Sequence, residues 1–129
     1  MKTLFWVIAE IALIFILLSL PGSSFQTHSK WFGDFPIDKF VHAFLFGTLA
    51  FSFFFHFEKS KYQILKTVKA KAYVLIFCIL YGIGMEYYQK YFVPSRAFEV
   101  NDMLADAAGA ILALPFFNWI NHTILNKTK

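Results

Sequence analysis

Several groups able to exchange protons sit inside apolar runs of this 129-residue chain: His42, Glu86 and Asp106. Each has a polar companion at helical spacing, with Asp38 four residues before His42, Gln89 three after Glu86, and Asp102 four before Asp106. On a helix, residues three or four apart share a face. Histidine and carboxylic acids held at fixed positions can act as general acid and base. Arg96, between the two acidic runs, offers a planar fork that grips phosphate or carboxylate in a bidentate way. His42, Glu86 and Arg96 are therefore the candidate catalytic residues, and Asp38, Gln89, Asp102 and Asp106 the candidate substrate-binding ones. Ser95 adjoins Arg96, but no base is placed beside it by spacing, so a covalent nucleophile is not indicated.

Each residue also has a plainer reading. His42 could hydrogen-bond a neighbouring carbonyl at an interface, Lys39 and Lys90 could snorkel to head groups, and Asp102 could cap a helix. Convergence of several such groups at one depth favours a site, because charge inside a membrane span is costly and marks function. His42 with its carboxylates could in principle bind a divalent metal, but no paired-histidine motif is present. Cys78 is the only cysteine, which removes disulfide frameworks and cysteine zinc sites. No metal and no cofactor is expected.

The elements that must position these groups are helices in lipid. The chain is 58% hydrophobic and 16% charged, far from the roughly 45–50% and 25% of soluble domains. Apolar stretches at residues 4–20, 40–57, 72–92 and 103–120 nearly exhaust its length. Since hydrocarbon offers no water to satisfy backbone groups, each stretch should be helical. The expected fold is all-α, a four-helix transmembrane bundle forming one domain over residues 1–129. Turn residues Pro21-Gly22-Ser23-Ser24, Gly33 with Pro36, and Pro94-Ser95 separate the runs. The first run could instead be a cleaved signal peptide, but its length and the internal Glu10 argue for a retained helix.

Charge sets orientation. Lys2, Lys59, Lys61, Lys66, Lys69, Lys71, Lys127 and Lys129 fall on one side, against Lys30, Lys39, Lys90 and Arg96 on the other. Cations are retained in the cytoplasm, so both termini should be cytoplasmic and the protein a multi-pass component of the cell membrane. This clustering in one loop, rather than along a polar face, also speaks against nucleic acid. Asp34, Asp38, Glu86, Glu99, Asp102 and Asp106 then gather on the external side, and helical rise puts Asp106 roughly 6 Å below Asp102. Ala105, Ala107, Ala108, Gly109 and Ala110, with Gly82 and Gly84, allow close helix packing. Pro115 should bend the fourth helix. Phe51, Phe53, Phe54, Phe55 and Phe57 are expected to face lipid, with Trp6, Trp31, Tyr91 and Trp119 in an interfacial belt.

Taken in order, Asp38-Lys39-Phe40-Val41-His42, then Tyr81-Gly82-Ile83-Gly84-Met85-Glu86 with Gln89, then Arg96, then Asp102-Met103-Leu104-Ala105-Asp106-Ala107-Ala108-Gly109 resemble the VanZ-like family of small bacterial membrane proteins. The likeness covers about residues 34–113. It departs from the family pattern at Phe46, where an aromatic hydroxyl is frequent, and at Asp106, where Asn is usual. The resemblance implies a link to glycopeptide resistance, specifically to teicoplanin. The residues leave two functions open: an enzyme acting on an envelope lipid or lipid-linked precursor, and a non-catalytic protein that binds such a lipid or a glycopeptide, or whose polar groups lock the bundle. The bilayer is the expected surrounding partner, the oligomeric state is open, and Asp106→Asn is expected to be nearly neutral.

Overall fold

The computed structural model describes residues 2–21 and 37–125. The turn at Gly22-Ser23-Ser24, together with Lys30, Trp31, Gly33, Asp34, Pro36, Lys127 and Lys129, lies outside them. Among the described residues four helices follow one another: α1 Lys2–Leu18, α2 Ile37–Lys59, α3 Val68–Phe92 and α4 Val100–Ile120. A 3-10 turn, Gln63–Lys66, precedes α3, and a π turn, Asn121–Leu125, follows α4. The described residues contain no strand, so the all-α expectation holds.

Helices α2, α3 and α4 are long and apolar enough to cross a membrane. At 17 residues, α1 is shorter, about 25 Å at 1.5 Å per residue against a hydrocarbon core near 30 Å. Its end has a local cause, since Pro21 disfavours helical geometry in the residue before it. The amides of Ser19 and Leu20 turn back onto Ile16 and Leu17 at 3.2 and 3.3 Å, tightening the last turn. The other helices start earlier than their apolar runs because their first turns are polar. Asp38 lies in the first turn of α2, where the helix dipole favours an acid, and the Thr67 hydroxyl caps α3 by accepting the Ala70 amide at 3.3 Å.

The helices alternate in direction. Thr3 near the start of α1 meets His56 near the end of α2, hydroxyl to Nδ1 at 2.8 Å, and Lys71 of α3 reaches Asn118 of α4 at 3.1 Å. At the opposite end the Gln89 amide of α3 donates to the Leu18 carbonyl of α1 at 2.9 Å. α2 and α4 pack most extensively, and small residues permit it. A Cβ on Gly47 would sit 3.2 Å from the Gly109 carbonyl oxygen, and one on Gly109 would overlap the Ala43 carbonyl. α4 continues through Pro115 to Ile120.

The phenylalanine run departs from expectation. Phe54 is fully buried against Phe117, with ring centroids 5.7 Å apart, while Phe51, Phe53, Phe55 and Phe57 are half-buried and pack on the core. Phe51 meets Phe117, and Phe53 meets Phe77. At 3.6 residues per turn, five phenylalanines within seven positions surround the helix, so some must face inward. Trp6, Tyr91 and Trp119 are strongly exposed.

Candidate functional site

The start of α2, the end of α3, the α3–α4 loop and the start of α4 meet at one end of the bundle. There His42 is fully buried, and its Nδ1 lies 2.9 Å from Asp106 Oδ1. With Nδ1–H donating to the Asp106 carboxylate, the neutral ring keeps its lone pair on Nε2. That nitrogen has no hydrogen-bond partner among the described residues and faces Asp102 Oδ2 at 4.0 Å, beyond hydrogen-bond range. A histidine oriented by a carboxylate through one nitrogen, with the other available, is suited to moving a proton.

Asp106 fits because Gly82 on α3 leaves it room. A Cβ at Gly82 would lie 2.6 Å from Asp106 Oδ2 and 3.0 Å from its Cβ. Gly82 thus accommodates a side chain rather than a second backbone. Gly82→Ala is expected to push Asp106 off the imidazole and move the His42 ring resonances in nitrogen NMR spectra, while Gly84→Ala leaves them in place, since nothing lies within 4 Å of a Cβ there.

Around this pair the charges interlock. Lys39 Nζ bridges Glu99 Oε2 at 2.7 Å and Asp102 Oδ1 at 3.0 Å. Arg96 donates to Asp38 Oδ1 at 3.3 Å. The turn that delivers Arg96 places Ser95 at φ 62°, a left-handed conformation uncommon for residues other than glycine. Glu86 Oε2 accepts the Glu99 backbone amide at 3.0 Å, its Oε1 is buried without a partner among the described residues, and it lies within electrostatic reach of His42, Asp102 and Asp106.

The structure therefore brings His42, Asp38, Asp102 and Asp106 together, with Arg96 on Asp38 and Glu86 nearby. Gln89 is drawn away, its amide spent on the end of α1. Sequence reasoning missed Lys39 as a member of this network and gave Glu99 no role. Their partners lie 60 and 63 residues apart in the chain, and only the position of Lys39 beside Asp38 in the opening turn of a helix hinted at the first. Asp106 has His42 as its partner, which changes the meaning of its departure from Asn.

Beside this polar end runs an apolar groove between α2 and α4, of about 650 Å³. Phe40, Ala43, Phe44, Gly47, Gly109, Leu112 and Phe116 line most of it. Thr48 also lines it, but its hydroxyl is bonded to the Phe44 and Leu45 carbonyls.

Apolar helices of alternating direction, three of them long enough to cross a membrane, with an interlocked His–Asp and ion-pair network at one end, define a small helical membrane protein. The family model VanZ/LLP1 matches residues 3–121, and the chain belongs to that family. No curated protein and no solved structure matches it.

Proposed function

We propose that this VanZ-family protein is a single-domain, multi-pass component of the cell membrane that binds an amphiphilic envelope lipid or lipid-linked precursor and moves a proton on its polar head. The observation that carries this reading is the adjacency of groove and network: Phe40 and Ala43, which line the groove, flank Lys39 and His42 on α2. Phe40 to Ser52 spans about 18 Å of helix at 1.5 Å per residue, a length that suits an acyl chain. His42, oriented by Asp106, and Glu86 serve as the proton-transfer groups, while Lys39 and Arg96 meet phosphate or carboxylate. A glycopeptide bound to its lipid-linked target is a ligand of the same chemistry, and the family's link to resistance enters through that class.

Mass spectrometry of envelope lipid extracts tests this, comparing cells without the protein, with it, and with Glu86→Gln. A species gained or lost with the protein and restored by Glu86→Gln is expected. Extracts identical in all three would remove the enzymatic reading and leave binding. In that case the polar groups act as Gln89 does, as locks between helices.

On this reading the lysine excess puts segment 58–71 in the cytoplasm and the polar end in the outer leaflet. In a Cys78→Ser background, cysteine at position 97 should react with a membrane-impermeant thiol reagent in intact cells, and cysteine at position 66 should not. The reverse pattern overturns the orientation.

A further inference from the structure

Among the described residues, the polar end holds more carboxyl groups than fixed cations. Asp38, Glu86, Glu99, Asp102 and Asp106 converge on it, against Lys39 and Arg96. Lys90 lies over the Tyr91 and Phe98 rings instead. Glu86, Asp102 and Asp106 are the buried acids, and buried charge is stabilised by a paired group or a bound cation. One point in the cluster has the atoms to hold it: ligand atoms from Asp38, His42 and Asp102 all lie within 4.8 Å of one another.

The second observation is independent of the acids. His42 is fully buried, and its Nε2 has no hydrogen-bond partner among the described residues although it is aimed at Asp102 Oδ2, 4.0 Å away. A burial that satisfies one ring nitrogen and orphans the other is costly. With Nδ1–H engaged by Asp106, Nε2 and the carboxylate oxygen present two lone pairs to the same small volume, and a shared cation satisfies both.

We propose that Asp38, His42 and Asp102 form a site for one divalent transition-metal cation, with Asp106 as the outer carboxylate that orients His42. This does not depend on the lipid reading, and with a cation on Nε2 the His42 lone pair is occupied, so Glu86 alone would remain to move a proton. Nitrogen and oxygen ligands about 2.1 Å from zinc in tetrahedral geometry lie roughly 3.4 Å apart, so the 4.0 Å between His42 and Asp102 must close by roughly half an ångström and the widest pair, within 4.8 Å, by up to about 1.4 Å, a side-chain rotation of Asp38. The carboxylate–histidine–metal arrangement recurs where a ligating imidazole donates its other N–H. A mixed nitrogen and oxygen set favours a borderline ion such as Zn²⁺ over Mg²⁺ or Ca²⁺, which prefer oxygen alone. Three protein ligands leave a coordination position for water or an anionic oxygen. Lys39 competes for the site, since its ammonium holds Asp102 Oδ1.

The test is calorimetric titration of Zn²⁺ into the full chain, purified in detergent without a histidine tag and stripped with chelator, with Mg²⁺ as comparison. One Zn²⁺ per chain is expected, bound more tightly than Mg²⁺. Asp38→Asn and Asp102→Asn should each weaken it at least about tenfold, and Asp106→Asn by roughly 10–100-fold through the outer shell. Lys39→Met should tighten it, which a purely structural ion-pair network would not do. If Asp102→Asn does not fold, Asp38→Asn carries the test, because Asp38 is partly exposed at the start of α2. Absence of Zn²⁺ binding, or binding unchanged in both Asp38→Asn and Asp106→Asn, overturns the proposal. Lipid retention without metal binding would leave the lipid reading standing alone.

Discussion

Gly109→Ala should separate α2 from α4 and cost on the order of 3 kcal/mol of stability, at the upper end of what overpacking does to a close-packed core. One methyl group has this effect because its site is already filled by backbone: the added Cβ would overlap the Ala43 carbonyl, and a carbonyl within a helix cannot rotate away as a side chain does. In hydrocarbon, helices associate through close packing rather than a hydrophobic driving force, so lost approach is lost affinity. Gly84→Ala is the matched control. Its Cβ meets nothing within 4 Å, and replacing a mid-helix glycine with alanine should leave stability unchanged or improve it by roughly 0.5–1 kcal/mol. Unfolding in mixed detergent micelles measures both. Equal stability of the two variants would mean that α2 and α4 do not pack as described.

The second large effect is expected at the buried pair. Removing one partner of a buried hydrogen-bonded pair leaves its companion unsatisfied at a cost of roughly 1–3 kcal/mol, more where that companion is a carboxylate, and His42 and Asp106 are exposed by only 0% and 1%. Asp106→Ala and His42→Ala should each lose on that scale. The double variant should lose far less than the sum, with a coupling energy of roughly 1–3 kcal/mol, as for residues in direct contact. Strict additivity would show that the 2.9 Å contact carries no energy. Asp106→Asn is a gentler change than either. Its amide oxygen can still accept from His42 Nδ1, but the charge that holds the imidazole is gone, so shape survives and orientation weakens. The partner revises the neutral outcome expected from sequence, where Asp106 stood only as an extra carboxylate near Glu86.

The helices were legible because hydrocarbon leaves the backbone one solution, and four apolar runs state where it applies. Their ends were less legible, since Asp38, Lys39 and Thr67 belong to first turns that a hydropathy reading trims away. Depth could be read from helical rise, which put His42, Glu86 and Asp106 at a similar level; in the structure His42 meets Asp106, while Glu86 accepts the Glu99 amide. Rotation about each axis could not be read. Which acid meets which nitrogen, and whether Gln89 faces the cluster or α1, depends on how neighbouring helices turn toward one another. The small residues of α4 signalled a close approach, but the surface receiving it, Ala43 and Gly47 on α2, stands in a phenylalanine-rich stretch that reads as bulky.

Among the described residues, three hydrogen bonds attach α1 to the other helices: Thr3 to His56, the Ile11 carbonyl to Tyr81, and the Leu18 carbonyl to Gln89, across 53, 70 and 71 residues of chain. A chain is synthesised from its N-terminus at about 5–20 residues per second. Helix α1 therefore emerges seconds before the side chains of α3 that fasten it. During that interval only α2, through His56, can hold it. Fastening of α1 to α3 is consequently a late event in assembly, and damage to Tyr81 or Gln89 should show itself as trapped, protease-sensitive nascent protein more than as instability of molecules that have already matured.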